Sequence, residues 1–229
     1  MHRLFVSDLH LSDDTPDIEA AFTGLLKKES PLDSLVMLGD VFEAWVGDDD
    51  DSPLADRVKS ALRALAESGT EILFTRGNRD FMLGEQFASD IGGTLLPDQT
   101  VLDVAGHPTL VLHGDILCTD DVDYQQFRQL AHSPEWQAEM MAKSLDERRD
   151  LARHADAAVA AAGLAEAARL PTAALRIAAA PLDRGPVADL QVLVAAGCGL
   201  VPDHLPLPVL LPATAGLAAL RPVLPVRPG

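Results

Sequence analysis

The chain has 229 residues, 48% of them hydrophobic and 23% charged, with a formal net charge of −17. That length suits one large α/β domain and leaves little room for a second. So acidic a balance argues against a nucleic-acid binder, which needs surplus Lys and Arg, but not against a phosphorylated substrate whose charge bound cations offset.

In chain order, the first half alternates between strand and helix patterns. Leu4 to Val6 is a short apolar strand. Ile18 to Lys28 is expected to be helical, with Ile18, Ala21, Phe22, Leu25 and Leu26 on one face. Ser34 to Leu38 is a second strand, Asp56 to Ser68 a second helix stopped by Gly69, and Ile72 to Thr75 a third strand. Gly84 to Ile91 is a short helix. Val101 to Val104 and Thr109 to Leu112 are further strands, and Tyr124 to Leu130 and Pro134 to His154 have helical spacing. This order implies a sheet covered by helices.

Polar clusters of one kind follow four of these strands: Ser7-Asp8-Leu9-His10, Gly39-Asp40, Gly77-Asn78-Arg79-Asp80 and His113-Gly114-Asp115. Ligands of open α/β sheets gather at the carboxyl ends of strands, so the four clusters can converge. Singly, each has an ordinary explanation. A capping Asp beside a surface His, a Gly-Asp turn and a partly buried imidazole are all common. Together they form a mixed oxygen and nitrogen donor set suited to Mn²⁺ or a similar divalent ion. The run Asp48 to Asp51 is expected to be a solvated loop before a helix and is assigned no metal. Phe42 and Trp45 are expected in the core, with an acyl-chain path as the alternative.

The motifs D-x-H, G-D, G-N-x-D and H-G-D resemble those of the calcineurin-like metallophosphoesterases. Longer strings resemble, within them, the UDP-2,3-diacylglucosamine hydrolases: Leu38-Gly39-Asp40-Val41-Phe42-Glu43-Ala44-Trp45-Val46-Gly47-Asp48-Asp49, Gly77-Asn78-Arg79-Asp80-Phe81-Met82-Leu83-Gly84 and His113-Gly114-Asp115-Ile116-Leu117-Cys118-Thr119-Asp120-Asp121. The resemblance covers residues 1–153. It implies an α/β metallophosphoesterase sandwich of two sheets flanked by helices. It also implies two Mn²⁺ ions, with Asp8 and His10 on one, Asn78 and His113 on the other and Asp40 bridging. Asn78, Arg79 and Asp121 would contact substrate. The implied reaction is metal-dependent hydrolysis of the UDP-2,3-diacylglucosamine pyrophosphate to UMP and 2,3-diacylglucosamine 1-phosphate, a step of lipid A biosynthesis at the cytoplasmic face of the inner membrane. Arg79 adds a clue of its own. Relatives that cleave simple phosphate esters tend to carry His there as a proton donor, whereas an arginine cannot release its proton and suits a phosphate leaving group. The alternative for Arg79 is a surface pair with Asp80.

Residues 154–229 follow a different pattern. From Ala155 to Gly229 there are five acidic and five basic residues, ten of the sixteen prolines and no Lys, Ser, Asn or aromatic residue. Prolines at that density interrupt helices and ladders alike. The Gly-His-x-His segment of the family is absent, and the one later histidine, His204, sits in Pro202-Asp203-His204-Leu205-Pro206. This stretch resembles a GC-rich gene read in a shifted frame and is expected not to complete the fold, leaving the neighbouring ladder unpaired. Cys118 and Cys198 form no CxxC pair, which implies no disulfide framework and a reducing compartment. The early charge at Arg3 speaks against a signal peptide, and Pro206, Pro208 and Pro212 interrupt the apolar stretch before Leu220. The expected location is cytoplasmic, peripheral to a membrane. Two other functions stay open: another calcineurin-like phosphoesterase, or a non-catalytic protein that keeps the fold.

Overall fold

A computed structural model describes residues 2–161 and 191–194, with side chains through residue 155. Its first sheet is parallel, in the order β1 (Arg3–Val6), β2 (Ser34–Leu38), β3 (Glu71–Thr75) and β4 (Thr94–Leu95). Successive side chains of a strand point to opposite faces, and here both faces are buried. Leu4, Val6, Leu35, Met37, Ile72 and Phe74 face a large core that includes helix residues such as Phe22, Leu26, Val58, Leu62, Phe87 and Ile91. Phe5, Val36, Leu38 and Leu73 face the other way, into a smaller core with Val111, Leu102 and Val104 of a second sheet. Continuous apolar runs in these strands follow from burial on both sides.

Three helices accompany the first sheet: α1 (Pro16–Glu29), α2 (Pro53–Glu67) and α3 (Glu85–Ile91). The first two start two to three residues earlier than the apolar spacing suggests, because Pro16 and Pro53 occupy the first helical turn. Ser52 caps α2 by accepting from Ala55 N at 3.2 Å. Asp17 and Glu19 in the first turn of α1 and Lys27 and Lys28 in its last complement the helix dipole.

The second sheet joins β5 (Gln99–Val104), β6 (His107–Leu112) and β7 (Gln191–Val194). Ala105 and Gly106 make the β5–β6 turn with φ of 56° and 84°, both left-handed as a tight hairpin requires. β7 pairs in parallel with Thr109–Leu112. The ladder expected to be unpaired therefore has a partner, supplied by Gln191-Val192-Leu193-Val194, a proline-free run with two β-branched valines. The expectation that 154–229 does not complete the fold otherwise falls outside the described residues, as does His204. Cys198 also lies outside the described residues, and with it the expectation of no disulfide framework.

The helical stretch expected over Pro134 to His154 divides into α5 (Pro134–Met141) and α6 (Leu145–Ala161), after α4 (Val122–Ala131). The break is a reciprocal cap. Ser144 Oγ accepts from Glu147 N at 3.3 Å, and Glu147 Oε2 accepts from Ser144 N at 2.8 Å. From α6, Arg148 forks onto Asp49 at 2.8 and 2.5 Å, and Arg149 holds Asp50 and Asp51 at 2.7 Å each. Asp48 accepts from Trp45 Nε1 at 3.0 Å, Gly84 N at 3.0 Å and Phe87 N at 2.9 Å. The acidic run expected to be a solvated loop is thus a clamp. Asp48 caps α3, and the other three carboxylates dock α6. Phe42 and Trp45 are core residues, their rings tilted by 32° with centroids 4.5 Å apart, and both meet Phe87 edge-on.

Candidate metal centre

Beyond the ends of β1 and β2 the two chains continue side by side. Asp8 N donates to Gly39 O at 3.1 Å, His10 N to Asp40 O at 3.0 Å and Leu11 N to Val41 O at 3.0 Å. The two segments therefore deliver Asp8, His10 and Asp40 to one place. Each residue offers a donor atom within 4.8 Å of the other two. Asp8, His10 and Asp40 hold φ of 52°, 48° and 51°, a left-handed conformation costly for residues with a Cβ. Of the four non-glycine residues with positive φ among the described residues, three lie here, which points to a functional constraint rather than a convenient turn.

Asp40 stands at the centre. Its Oδ2 lies 3.7 Å from His10 Nε2, and its Oδ1 lies 3.7 Å from His113 Nε2. Oδ1 also accepts from Arg79 N at 2.8 Å. His113 comes from the end of β6, in the second sheet. Its Nδ1 lies 2.8 Å from Leu38 O, an acceptor, so Nδ1 carries a proton, and when the ring is neutral Nε2 keeps its lone pair. That lone pair faces Asn78 Oδ1 at 2.9 Å. A neutral imidazole lone pair, an amide oxygen and a carboxylate oxygen directed at one another form an arrangement of acceptors, and a cation satisfies it. The donor set fits a divalent metal with oxygen and imidazole ligands.

The glycines between the ligands make this approach possible. A Cβ on Gly39 (φ 86°) would lie 2.7 Å from His113 Nδ1 and from Gly77 Cα, and one on Gly77 would overlap the Asp40 carboxylate.

Of the expected substrate contacts, Asn78 and Arg79 adjoin the cluster. Asp121 is exposed and caps α4, accepting from Tyr124 N at 3.0 Å. Residues with no role assigned from sequence surround them. Asp80, fully buried, accepts from Asp40 N, Val41 N and Gly77 N at 3.2, 2.7 and 2.8 Å, and from Phe42 N at 3.4 Å. A carboxylate spent on four backbone groups is not a surface partner for Arg79. Arg79 Nη2 instead lies 3.5 Å from Glu43 Oε1. Asp115 turns towards α4, accepting from Tyr124 Oη at 2.5 Å and Arg128 Nε at 2.7 Å. It anchors the helix and is held below the ordinary carboxylate range, with Tyr124, His113 and Arg128 outweighing burial.

Without a cation, protons offset the charge. Burial pushes Asp40 up to about 7, against the pull of His113, and raises Asp8 as well. His10 and His113 are both raised, because Glu43 and neighbouring aspartates outweigh their burial. Each of these groups binds its proton more tightly folded than unfolded. The stability they contribute is complete at low pH and is lost as pH rises from the unfolded carboxylate value of 3.8 to about 7 for Asp40. His132, lowered chiefly by burial, acts in the opposite sense. In chelator, the urea midpoint of the chain is expected to fall as pH rises through this window, and a bound divalent cation should remove the trend. A midpoint that rises across the same window would contradict this electrostatic account.

The calcineurin-like phosphoesterase family model matches residues 1–168. A protein of Stenotrophomonas maltophilia named UDP-2,3-diacylglucosamine hydrolase is 49% identical over 146 residues, 63% of this chain and 59% of its own length. A protein of that name from Cellvibrio japonicus is 47% identical over 153 residues, 66% of this chain and 64% of its own. Another, from Vibrio cholerae, is 48% identical over 135 residues, 58% of this chain and 56% of its own. The chain thus spans about six-tenths of the length of these relatives. With the family model running through every strand of the first sheet and all four clusters at the centre, the chain belongs to the calcineurin-like phosphoesterases.

Proposed function

We propose that the chain carries the catalytic face of a metal-dependent hydrolase acting on the pyrophosphate of UDP-2,3-diacylglucosamine, releasing UMP and 2,3-diacylglucosamine 1-phosphate. The observation that carries the metal part is Asp40, whose two carboxylate oxygens each face a different imidazole at 3.7 Å. Asp8 and His10 would hold one Mn²⁺, Asn78 and His113 the second, and Asp40 both. When bound, such cations supply positive charge where the phosphoryl oxygens gain negative charge and an activated nucleophile at neutral pH.

The chain's own residues account for the choice of bond. Arg79 keeps its charge at every working pH, so it grips a phosphate oxygen and donates no proton to a leaving group. A pyrophosphate needs no such proton, because its leaving phosphate departs as an anion. Support for a lipid-bearing substrate comes from the three relatives' names and from apolar surface on α4, where Val122, Phe127 and Leu130 are exposed. Phe127 extends into a ring cluster with Phe81, two residues beyond Arg79, and Trp136. Acyl chains would lie on this surface, and Asp121 at the start of α4 would meet the polar head. The same apolar face suits peripheral attachment to the cytoplasmic side of an inner membrane. No helix among the described residues is long and apolar enough to cross one.

Metal analysis of the purified chain, with product release from UDP-2,3-diacylglucosamine set beside an aryl phosphate, tests this function. Mn²⁺-dependent UMP release is expected, slow because the sequence lacks the Gly-His-x-His imidazoles that the family supplies. Faster turnover of the aryl phosphate would refute the pyrophosphate assignment, and no metal uptake at any concentration would refute the centre. Arg79→Ala is expected to lower kcat/KM on the UDP-lipid by an amount equivalent to about 1.5–3 kcal/mol, the range for a hydrogen bond to a charged group. A variant matching its parent would remove Arg79 from the mechanism.

A further inference from the structure

Glu43 lies three residues beyond Asp40, and its two oxygens reach two different members of the site. Oε2 is 2.9 Å from His10 Nδ1, and Oε1 is 3.5 Å from Arg79 Nη2. His10 presents its other nitrogen, Nε2, to Asp40. A cation among Asp8, His10 and Asp40 therefore takes Nε2, which leaves the Nδ1 proton to the carboxylate behind it. His113 repeats the pattern, with Leu38 O as its acceptor. Metal-bound imidazoles depend on such a partner to fix tautomer and ring orientation. At His10 the approach is close but not yet well aligned, and among the described residues no other acceptor serves this buried nitrogen. The backbone of Glu43 is pinned beside the site, its N donating to Leu11 O at 3.1 Å, while its side chain is 39% exposed.

We infer that Glu43 is a positioning residue that couples the metal centre to the phosphate clamp, holding His10 in its Nδ1–H tautomer with one oxygen and aiming the Arg79 guanidinium with the other. The inference rests on the metal-centre reading above and adds to it a link between first ligand and leaving-group grip. The two oxygens have separable effects. Glutamine at this position can keep its one acceptor oxygen for His10, which turns its amide NH₂ towards Arg79. Alanine removes both.

The test uses the full chain and two readouts other than turnover. Imidazole ¹⁵N shifts, recorded in chelator well above the ordinary histidine range, report the His10 tautomer. Titration with Mn²⁺ reports affinity. The parent is expected to show His10 protonated on Nδ1. Glu43→Ala should shift the population towards Nε2–H and weaken Mn²⁺ binding by about 10–100-fold, the usual effect of losing such a partner. Glu43→Gln should retain the tautomer and most of the affinity. A Glu43→Ala chain with the parent's tautomer overturns the inference, including when its unfolding midpoint moves, since that would mark a merely structural carboxylate. If the parent itself takes up no Mn²⁺, the metal-centre reading fails, and the tautomer comparison still decides whether Glu43 orients His10.

Discussion

Asp40→Asn is expected to weaken Mn²⁺ binding by more than about a hundredfold, beyond the range seen when only a ligand's outer partner is lost. The same substitution is expected to stabilise the metal-free chain above neutral pH. These opposite signs have one cause. Asp40 is 2% exposed, and burial drives its pKa up to about 7, so the apo fold bears the cost of an ionised carboxylate there. An asparagine keeps the side-chain oxygen that accepts from Arg79 N and removes the charge. It cannot place anionic oxygens before both His10 and His113, so the property that holds cations is lost with the property that destabilises the empty site. The experiment is a Mn²⁺ titration beside urea unfolding in chelator, each on parent and variant. Undiminished Mn²⁺ affinity in Asp40→Asn would remove Asp40 from the centre, and a lower midpoint at alkaline pH would refute the account of its burial.

What could be read from the sequence, and what could not, divides along one physical line. β2 is expected and found at Ser34–Leu38 because a strand buried on both faces is a continuous apolar run. Asp8, His10, Asp40, Asn78 and His113 are readable as candidate ligands because each follows such a run and sits by a glycine or in a D-x-H pair. β4 is not readable, since two residues, Thr94 and Leu95, carry no period. The division between α5 and α6 was available in Ser144-Leu145-Asp146-Glu147, a capping box hidden inside an otherwise helical spacing. Partners distant in sequence leave no local signal. Asp49 looks like one carboxylate in a solvated run until Arg148, 99 residues later, forks onto it. Glu43 and Asp80 fall within the motif strings, but their roles depend on which turn they face, and only the fold supplies that.

Asp80→Ala is expected to unfold the turn that carries Asp40, and with it most of the native state's margin. The Asp80 carboxylate is wholly buried and accepts from the backbone N–H groups of Asp40, Val41, Phe42 and Gly77. Those donors belong to the two glycine turns whose backbones nearly touch. A buried donor left unsatisfied costs about 1–3 kcal/mol, and with the three closer ones orphaned the loss approaches the 5–15 kcal/mol that stabilises a typical domain. Asparagine is no remedy, because its NH₂ would face donors where a carboxylate presents a second acceptor. Asp80→Ala should therefore show a sharply lowered urea midpoint, whereas Asp40→Asn should not, although both lose metal. That contrast separates a residue that holds the turn from one that holds the cation. Retention of the parent's midpoint in Asp80→Ala would mean that the four backbone groups find other partners and that Asp80 does not position Asp40.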